Sequence, residues 1–154
     1  MDRWRTDFII IGLLPGLLRA LTIRGYRVPT PVQRLSIPPL LASPPRDLVG
    51  MARTGSGKTL AYIIPLFQRL KGRHSPIFGA RALILVPARE LALQILKVGK
   101  ELARGCAYSN VGHAGDVKNG ESSPFSEEAL RWGLIVGGEG MDEQFDMIAT
   151  NPDV

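Results

Sequence analysis

The octapeptide Ala52-Arg53-Thr54-Gly55-Ser56-Gly57-Lys58-Thr59 constrains this chain more than any other feature, because it fits one context, the turn between a strand and a helix. Residues 47–51 read as a short apolar strand, and residues 58–70 read as a helix. In such a loop successive backbone N–H groups converge into an anion nest, and Gly55 and Gly57 let the backbone approach a phosphate with no Cβ in the way. Lys58 supplies a point charge for β- and γ-phosphates, and Thr59 supplies a hydroxyl for Mg²⁺. The helix that opens here adds the positive end of its dipole. The strict pattern has glycine where Ala52 stands, and alanine is tolerated there if it keeps a negative φ. The bland alternative, a Gly-Ser turn followed by chance by Lys-Thr, leaves the flanking strand and helix without a reason. The loop implies a nucleoside triphosphate but does not say which chemistry follows.

The same strand, glycine or proline turn, and helix theme recurs twice more. Residues 80–86 (ARALILV) form a buried-strand run, followed by Pro87 and a predicted helix over residues 90–103. Residues 132–136 form a third run, followed by Gly137-Gly138 and a predicted helix over residues 142–150. Alternation at this spacing predicts an α/β fold, a parallel sheet flanked by helices with right-handed crossovers. Such crossovers bring the loops after the strands to one edge, where they can form a site. Upstream, residues 16–25 place Leu17, Leu18, Leu21 and Ile23 at mostly helical spacing and end on Gly25, suited to a C′ position. Thr30-Pro31-Val32-Gln33 opens a second helix: Thr30 can cap it, Pro31 fits its first turn, and Gln33 holds the capping-box position. Residues 104–130 are rich in Gly, Ser and Asn and lack periodicity, which predicts a mobile surface insertion. Residues 1–15 read as an N-terminal extension carrying the upstream aromatic Phe8, and residues 16–154 as one domain.

Composition narrows the classes. With 45% apolar residues, 154 residues suffice for a domain with a core. The net charge of +5 suits a polyanionic partner, and it is unevenly spread. Between Gly105 and Leu130, Asp116, Glu121, Glu127 and Glu128 face Lys118 alone, so the positive excess lies elsewhere. Cys106 is the only cysteine, which rules out an intrachain disulfide and points to a reducing compartment. With only His74 and His113 beside it, a Cys/His zinc site is excluded. Residues 8–18 superficially resemble a signal peptide. They are shorter than the roughly 20 residues of a bilayer span, and Pro15 interrupts them. No membrane association is expected.

Four segments in order resemble the motifs of DEAD-box RNA helicases. Residues 25–33 (GYRVPTPVQ) look like the Q motif, with Phe8 where that family has its isolated upstream aromatic. Ala52 to Thr59 matches motif I, including the leading alanine. Pro87-Ala88-Arg89-Glu90-Leu91-Ala92 resembles motif Ia, and Gly137-Gly138 the GG motif. The resemblance runs over residues 8–103 and 131–154 and implies an incomplete first RecA-like domain. It also implies ATP and Mg²⁺ as ligands, with Tyr26 stacking on adenine and Gln33 reading the adenine N6/N7 edge bidentately. Gln33 can equally serve as the capping-box partner of Thr30, and the two roles can coexist.

By the same resemblance Lys58 and Thr59 serve phosphoryl transfer. Pro87, Arg89, Glu90, Gly137 and Gly138 hold an RNA backbone, a sequence-tolerant and salt-dependent interaction. Without the resemblance, Arg89 and Glu90 read as a solvated first helical turn. The family usually has threonine where Ala88 stands, which removes one hydroxyl contact to phosphate. Residues 136–145 and 151–154 look most like the nucleolar branch that assists large ribosomal subunit assembly, particularly in fungi. That implies nuclear and nucleolar localisation, with the cytoplasm as the alternative, and pre-ribosomal particles as partners; a monomer is expected.

No Asp-Glu-Ala-Asp occurs in these residues. In the family that motif holds Mg²⁺ and orients the attacking water. The expectation is a fragment with exposed apolar edges that binds ATP and does not hydrolyse it. The competing reading is a non-catalytic RNA- or protein-binding module on a P-loop scaffold. A GTPase or small-molecule kinase lacks support, because no guanine-specifying Asn-Lys-x-Asp and no kinase lid pattern is present.

Overall fold

Gly25 ends the first helix as its position predicts. In the computed structural model, which describes Phe8, residues 11–107 and residues 129–154, α1 spans Pro15–Ile23. The chain then turns through Gly25 at φ +81°. The Tyr26 N–H donates to the Leu21 carbonyl and the Gly25 N–H to the Thr22 carbonyl, both at 2.9 Å. These two bonds satisfy carbonyls that the helix end would otherwise leave without partners.

The chain divides into two units, Met1–Lys71 and Gly72–Val154. The first is built on α3 (Lys58–Arg69), which packs against α1 and α2 (Pro31–Leu41). Leu60, Ile63, Ile64 and Phe67 recur at helical spacing on α3 and are buried, as are Leu17, Leu21 and Ile37. Two polar side chains of α3 tie its neighbours down. Gln68 accepts from the Leu14 N–H at 2.8 Å and donates to the Gly12 carbonyl at 3.1 Å, which fixes the entry to α1. Arg69 donates to the Leu40 carbonyl at 3.0 and 2.8 Å and to that of Ala42 at 3.2 Å, answering the orphan carbonyls at the end of α2.

The second unit contains α4 (Arg89–Ala107) and α5 (Met141–Ala149). The buried face of α4 carries Ile95, Gly99, Leu102, Ala103, Cys106 and Ala107. Gly99 is there for contact: a Cβ at that position would lie 2.5 Å from the Trp132 ring. The helix runs one turn past the predicted boundary, because Cys106 and Ala107 continue the apolar face where Gly105 suggested a loop. Residues 104–107 therefore belong to α4 and not to an insertion. Ala129 forms an antiparallel bridge with Arg73, and Leu130 is buried. The rest of the predicted insertion, residues 108–128, lies outside the described residues.

The predicted parallel sheet is not formed among the described residues. Residues 47–51, 80–86 and 132–136 form no ladder with one another, and Val49 and Met51 are fully exposed. The physical reason is that a strand exists only through its neighbours. The first unit offers residues 47–51 no second extended segment, and an apolar run without a ladder partner cannot satisfy its backbone in a sheet. The parallel pairing present is one rung, in the second unit. The Val154 N–H donates to the Arg131 carbonyl at 3.2 Å, and the Gly133 N–H donates to the Val154 carbonyl at 2.9 Å. Among the described residues no helix is long and apolar enough to cross a membrane.

Candidate nucleotide site and basic face

The predicted phosphate loop lies at the mouth of α3. Gly55 and Gly57 adopt φ +77° and +91°, left-handed values that glycine accepts without strain. Gly57 is the residue before the first turn of α3, so the loop delivers its amides to the positive end of that helix. The Lys58 ammonium folds back over the loop and donates to the Ala52 carbonyl at 2.6 Å and the Arg53 carbonyl at 2.7 Å. Thr54 and Ser56 lie in the same turn. The Ser56 hydroxyl is buried and has no hydrogen-bond partner. Thr59 sits in the first turn of α3, and its side chain hydrogen-bonds Tyr62. Burial pushes the Tyr62 phenol above its ordinary range, and the Thr59 contact opposes that shift.

Gln33 joins the second helix to this loop. Its side chain is 3% exposed, so both ends of the carboxamide require partners. The oxygen accepts from the Thr30 N–H at 2.9 Å, one arm of a capping box, and the nitrogen donates to the Gly57 carbonyl at 3.0 Å. A Cβ at Gly57 would lie 2.4 Å from the Gln33 nitrogen and 3.0 Å from the Thr30 hydroxyl. Glycine at that position is what lets the two segments meet. Tyr26 is 41% exposed at the turn after α1, so its ring is available for stacking. The structure thus brings Gln33, Ala52, Arg53, Gly57 and Lys58 together by direct contact.

These features fit an anion with a planar base beside it. A cation sits at the loop, a buried hydroxyl lacks a partner at Ser56, and a glycine cradle would be filled by any Cβ. Lys58, the loop amides and Thr59 are the groups that would hold a triphosphate and its Mg²⁺.

In the second unit the residues predicted for RNA contact also converge. Arg89, at the start of α4 after Pro87, hydrogen-bonds the Gly137 carbonyl through its guanidinium. A Cβ at Gly138, where φ is +87°, would lie 3.0 Å from the same group. Arg89, Gly137 and Gly138 are exposed, and Glu90 occupies the first turn of α4. The arrangement is a guanidinium held beside a flexible glycine pair near a helix N-terminus, chemistry that suits a phosphodiester.

Sequence reasoning missed a polar junction at Asp153. That carboxylate is 2% exposed. It accepts from the Arg131 N–H at 2.9 Å, the Ser75 N–H at 3.1 Å and the Arg81 guanidinium at 2.9 and 2.6 Å. His74 Nδ1 lies 2.9 Å from Oδ2, the oxygen that also accepts from Arg131, while Ser75 and Arg81 share Oδ1. Burial alone would raise its pKa, but the donors from Arg131, His74, Ser75 and Arg81 outweigh that and hold it below the ordinary carboxylate value. No local signal marks Asp153, because Arg131 stands 22 positions away and its partners Arg81, Ser75 and His74 stand 72 or more. Cys106 is a different case. Burial pushes its thiol up to about 12, which makes it an inert core residue.

A glycine-bearing loop at a helix mouth, followed by Lys-Thr, defines the P-loop class of nucleotide-binding proteins. The chain belongs to the DEAD/DEAH box helicase family, whose model matches residues 30–154. It is 58% identical over 148 residues to an ATP-dependent RNA helicase DBP10 of Mycosarcoma maydis, a match covering 96% of this chain and 12% of that protein. Among solved structures it resembles the RNA helicase Prp28 from Chaetomium thermophilum bound to ADP, with a TM-score of 0.71 and 32% identity. That match covers 99% of this chain and 31% of that one. It also resembles S. cerevisiae Dbp5 bound to RNA and ADP BeF3, with a TM-score of 0.57 and 31% identity over 64% of this chain and 25% of that one. These neighbours establish an α/β P-loop fold of the RecA-like kind.

Proposed function

We propose that this chain is the nucleotide-binding part of an ATP-dependent RNA helicase that couples ATP binding and hydrolysis to local RNA strand separation during assembly of the large ribosomal subunit. The observation that carries the reading is the Gln33 side chain, buried and bonded at once to Thr30 and to the Gly57 carbonyl of the phosphate loop. One side chain thereby couples the segment proposed to read adenine to the loop proposed to hold phosphate. When bound, ATP with Mg²⁺ supplies the phosphoanhydride whose presence and cleavage alter affinity for RNA.

The chain's own residues divide the work. Lys58 exchanges its carbonyl partners for phosphate oxygens, and the amides of Thr54, Gly55, Gly57 and Lys58 supply further hydrogen bonds. Thr59 offers a hydroxyl to the metal, and Tyr26 offers an aromatic face to the base. Arg89, Pro87, Glu90, Gly137 and Gly138 form the proposed RNA-facing edge, and their contacts address the backbone and not the bases. ADP in one similar structure, and RNA with a nucleotide analogue in another, support both ligands. The likeness of residues 136–145 and 151–154 to the nucleolar branch supports pre-ribosomal particles as partners and the nucleolus as location. The proposed complete architecture is a parallel sheet closed around the extended segments described above, in a protein that acts as a monomer.

Calorimetric titration of the chain with ATP and with GTP tests the reading. We expect binding of ATP with GTP weaker by at least about tenfold, the discrimination of one bidentate base contact. Equal affinity for the two would remove Gln33 from base recognition and overturn the assignment.

A further inference from the structure

Helix α5 has an inward side and an outward side, and both carry apolar residues. Met147 is turned inward, with its sulfur in the space that a Cβ on Gly133 would need. Phe145 stands two residues earlier, about 200° around the helix, and so points the opposite way. It is 61% exposed, and Met141, one turn before it, is 68% exposed. Neither lines the cavity between residues 82–86 and 132–137, whose α5 side chains are Met147 and Ile148. The outward pair is therefore separate from the side of α5 that faces the extended segments.

The charge around that pair has one sign. Glu139, Asp142, Glu143 and Asp146 are all exposed, and residues 139–150 contain no lysine or arginine, although the chain as a whole carries +5. Among the described residues no cation pairs with any of these carboxylates. Asp142 and Glu143 sit in the first turn, where the helix dipole favours a carboxylate. Asp146 lies in the last turn, where the dipole opposes it and no basic residue offsets it. Helix stability accounts for the first two and not for Asp146. Asp142 and Asp146 are themselves one turn apart, so α5 shows an apolar ridge and an acidic ridge side by side.

We propose that the outward face of α5 docks a basic amphipathic helix of a partner protein. Its apolar side chains, one turn apart, pack on Met141 and Phe145, and its lysines or arginines meet Asp142 and Asp146. Ridges whose members repeat about every 6 Å along the axis are what a second helix laid alongside can match. The same carboxylates repel a phosphodiester backbone, which keeps RNA off this face. Two apolar anchors make a small contact of the transient kind, and its strength rises as salt falls. Gly137 and Gly138 lie just before α5, so the partner sits beside the edge proposed for RNA.

The probe is a fluorescein-labelled synthetic helix with leucines one turn apart flanked by lysines, titrated into the 154-residue chain and read by anisotropy. The peptide is expected to slow hydrogen exchange at the amides of residues 141–149 and not at those of α1. Phe145→Ser should weaken binding by at least about tenfold, the effect of removing an aromatic anchor, with helix content by circular dichroism unchanged. Asp142→Asn combined with Asp146→Asn should weaken it by about fivefold at low salt and hardly at all at high salt. The reciprocal change leaves the chain untouched: a peptide with glutamines for lysines should bind at least about tenfold more weakly. Ile77 and Phe78, 78% and 69% exposed and flanked in sequence by Arg73 and Arg81, are the control. Ile77→Ser combined with Phe78→Ser should leave binding as it was. Equal binding of the glutamine peptide would mean apolar capture without charge matching and would overturn the proposal. So would unchanged binding to Phe145→Ser, an equal loss in the Ile77 and Phe78 variant, an oligouridylate that loses affinity with Phe145→Ser, or a dimer of the chain that protects α5 without peptide.

Discussion

Two buried polar side chains anchor the two units, and they do so in different ways. Gln33, in the Met1–Lys71 unit, is neutral and makes one bond at each end of its carboxamide, to partners 3 and 24 positions away. Asp153, in the Gly72–Val154 unit, is a carboxylate gathered into donors from Arg131, His74, Ser75 and Arg81. A neutral bracket can let go of one partner at modest cost, which suits a loop that must rearrange around a ligand. A buried carboxylate cannot, because losing its donors strands a charge in the interior. The first arrangement suits the proposed nucleotide site, which would work by exchange, and the second suits a joint that stays closed.

That contrast can be broken most directly at the joint. Asp153→Ala should cost about 4 kcal/mol, since removing one partner of a buried ion pair leaves the others without compensation. Urea unfolding of the variant checks it, and a loss below about 1 kcal/mol, the level of a surface pair, would refute the joint. The same residue predicts an acid limb. Its folded pKa lies below the ordinary 3.8, so folding favours the ionised form. The stabilisation is complete above that value and fades as pH falls through the folded pKa. Asp153→Asn should flatten that part of the stability profile.

At the phosphate loop, Lys58→Ala should weaken ATP binding by about a hundredfold, equal to two charge-assisted bonds of ~1.5 kcal/mol. Calorimetry with the variant reads it, and unchanged affinity would disprove the site. Gly99→Ala should destabilise the chain by about 2 kcal/mol through overpacking against Trp132, with a shift in tryptophan emission. Gly57→Ala should cost about 1–2 kcal/mol, because φ +91° is strained for alanine and the new methyl collides with the Gln33 amide. It should lower ATP affinity as well, whereas Gly99→Ala should not. The smallest effect concerns Cys106: with its thiol pushed up to about 12, labelling by a thiol reagent at neutral pH should be slower than that of a free thiol by orders of magnitude.

How legible each part was in the sequence follows the distance between partners. Gly25 at its C′ position, Pro31 in a first turn, Gln33 three residues after Thr30, and the loop from Ala52 to Thr59 are all local devices, and the structure forms each one. The meeting of Arg89 with Gly137 and Gly138 could be anticipated only through the family resemblance, since 48 positions separate the guanidinium from the carbonyl it contacts. The end of α4 was misplaced because Gly105 punctuates locally while Cys106 and Ala107 pack globally. The sheet was legible only as an expectation, for a related reason. Apolar runs such as residues 80–86 show that a strand is wanted, but pairing depends on neighbours that periodicity does not supply. Asp153 was invisible because an aspartate after proline looks like a turn until its distant donors are in place.

The folded-back Lys58 carries a final consequence. An ammonium has three hydrogens, and two of them are committed to the Ala52 and Arg53 carbonyls. An arriving anion therefore competes with two internal oxygens before it gains a full cation. A small monoanion, offering little in return, should be a poor rival for that lysine. A polyphosphate brings several oxygens to the loop amides at once and recovers what the exchange gives up. The resting shape of the loop thus predicts selectivity for long phosphate chains over single ions at the proposed site.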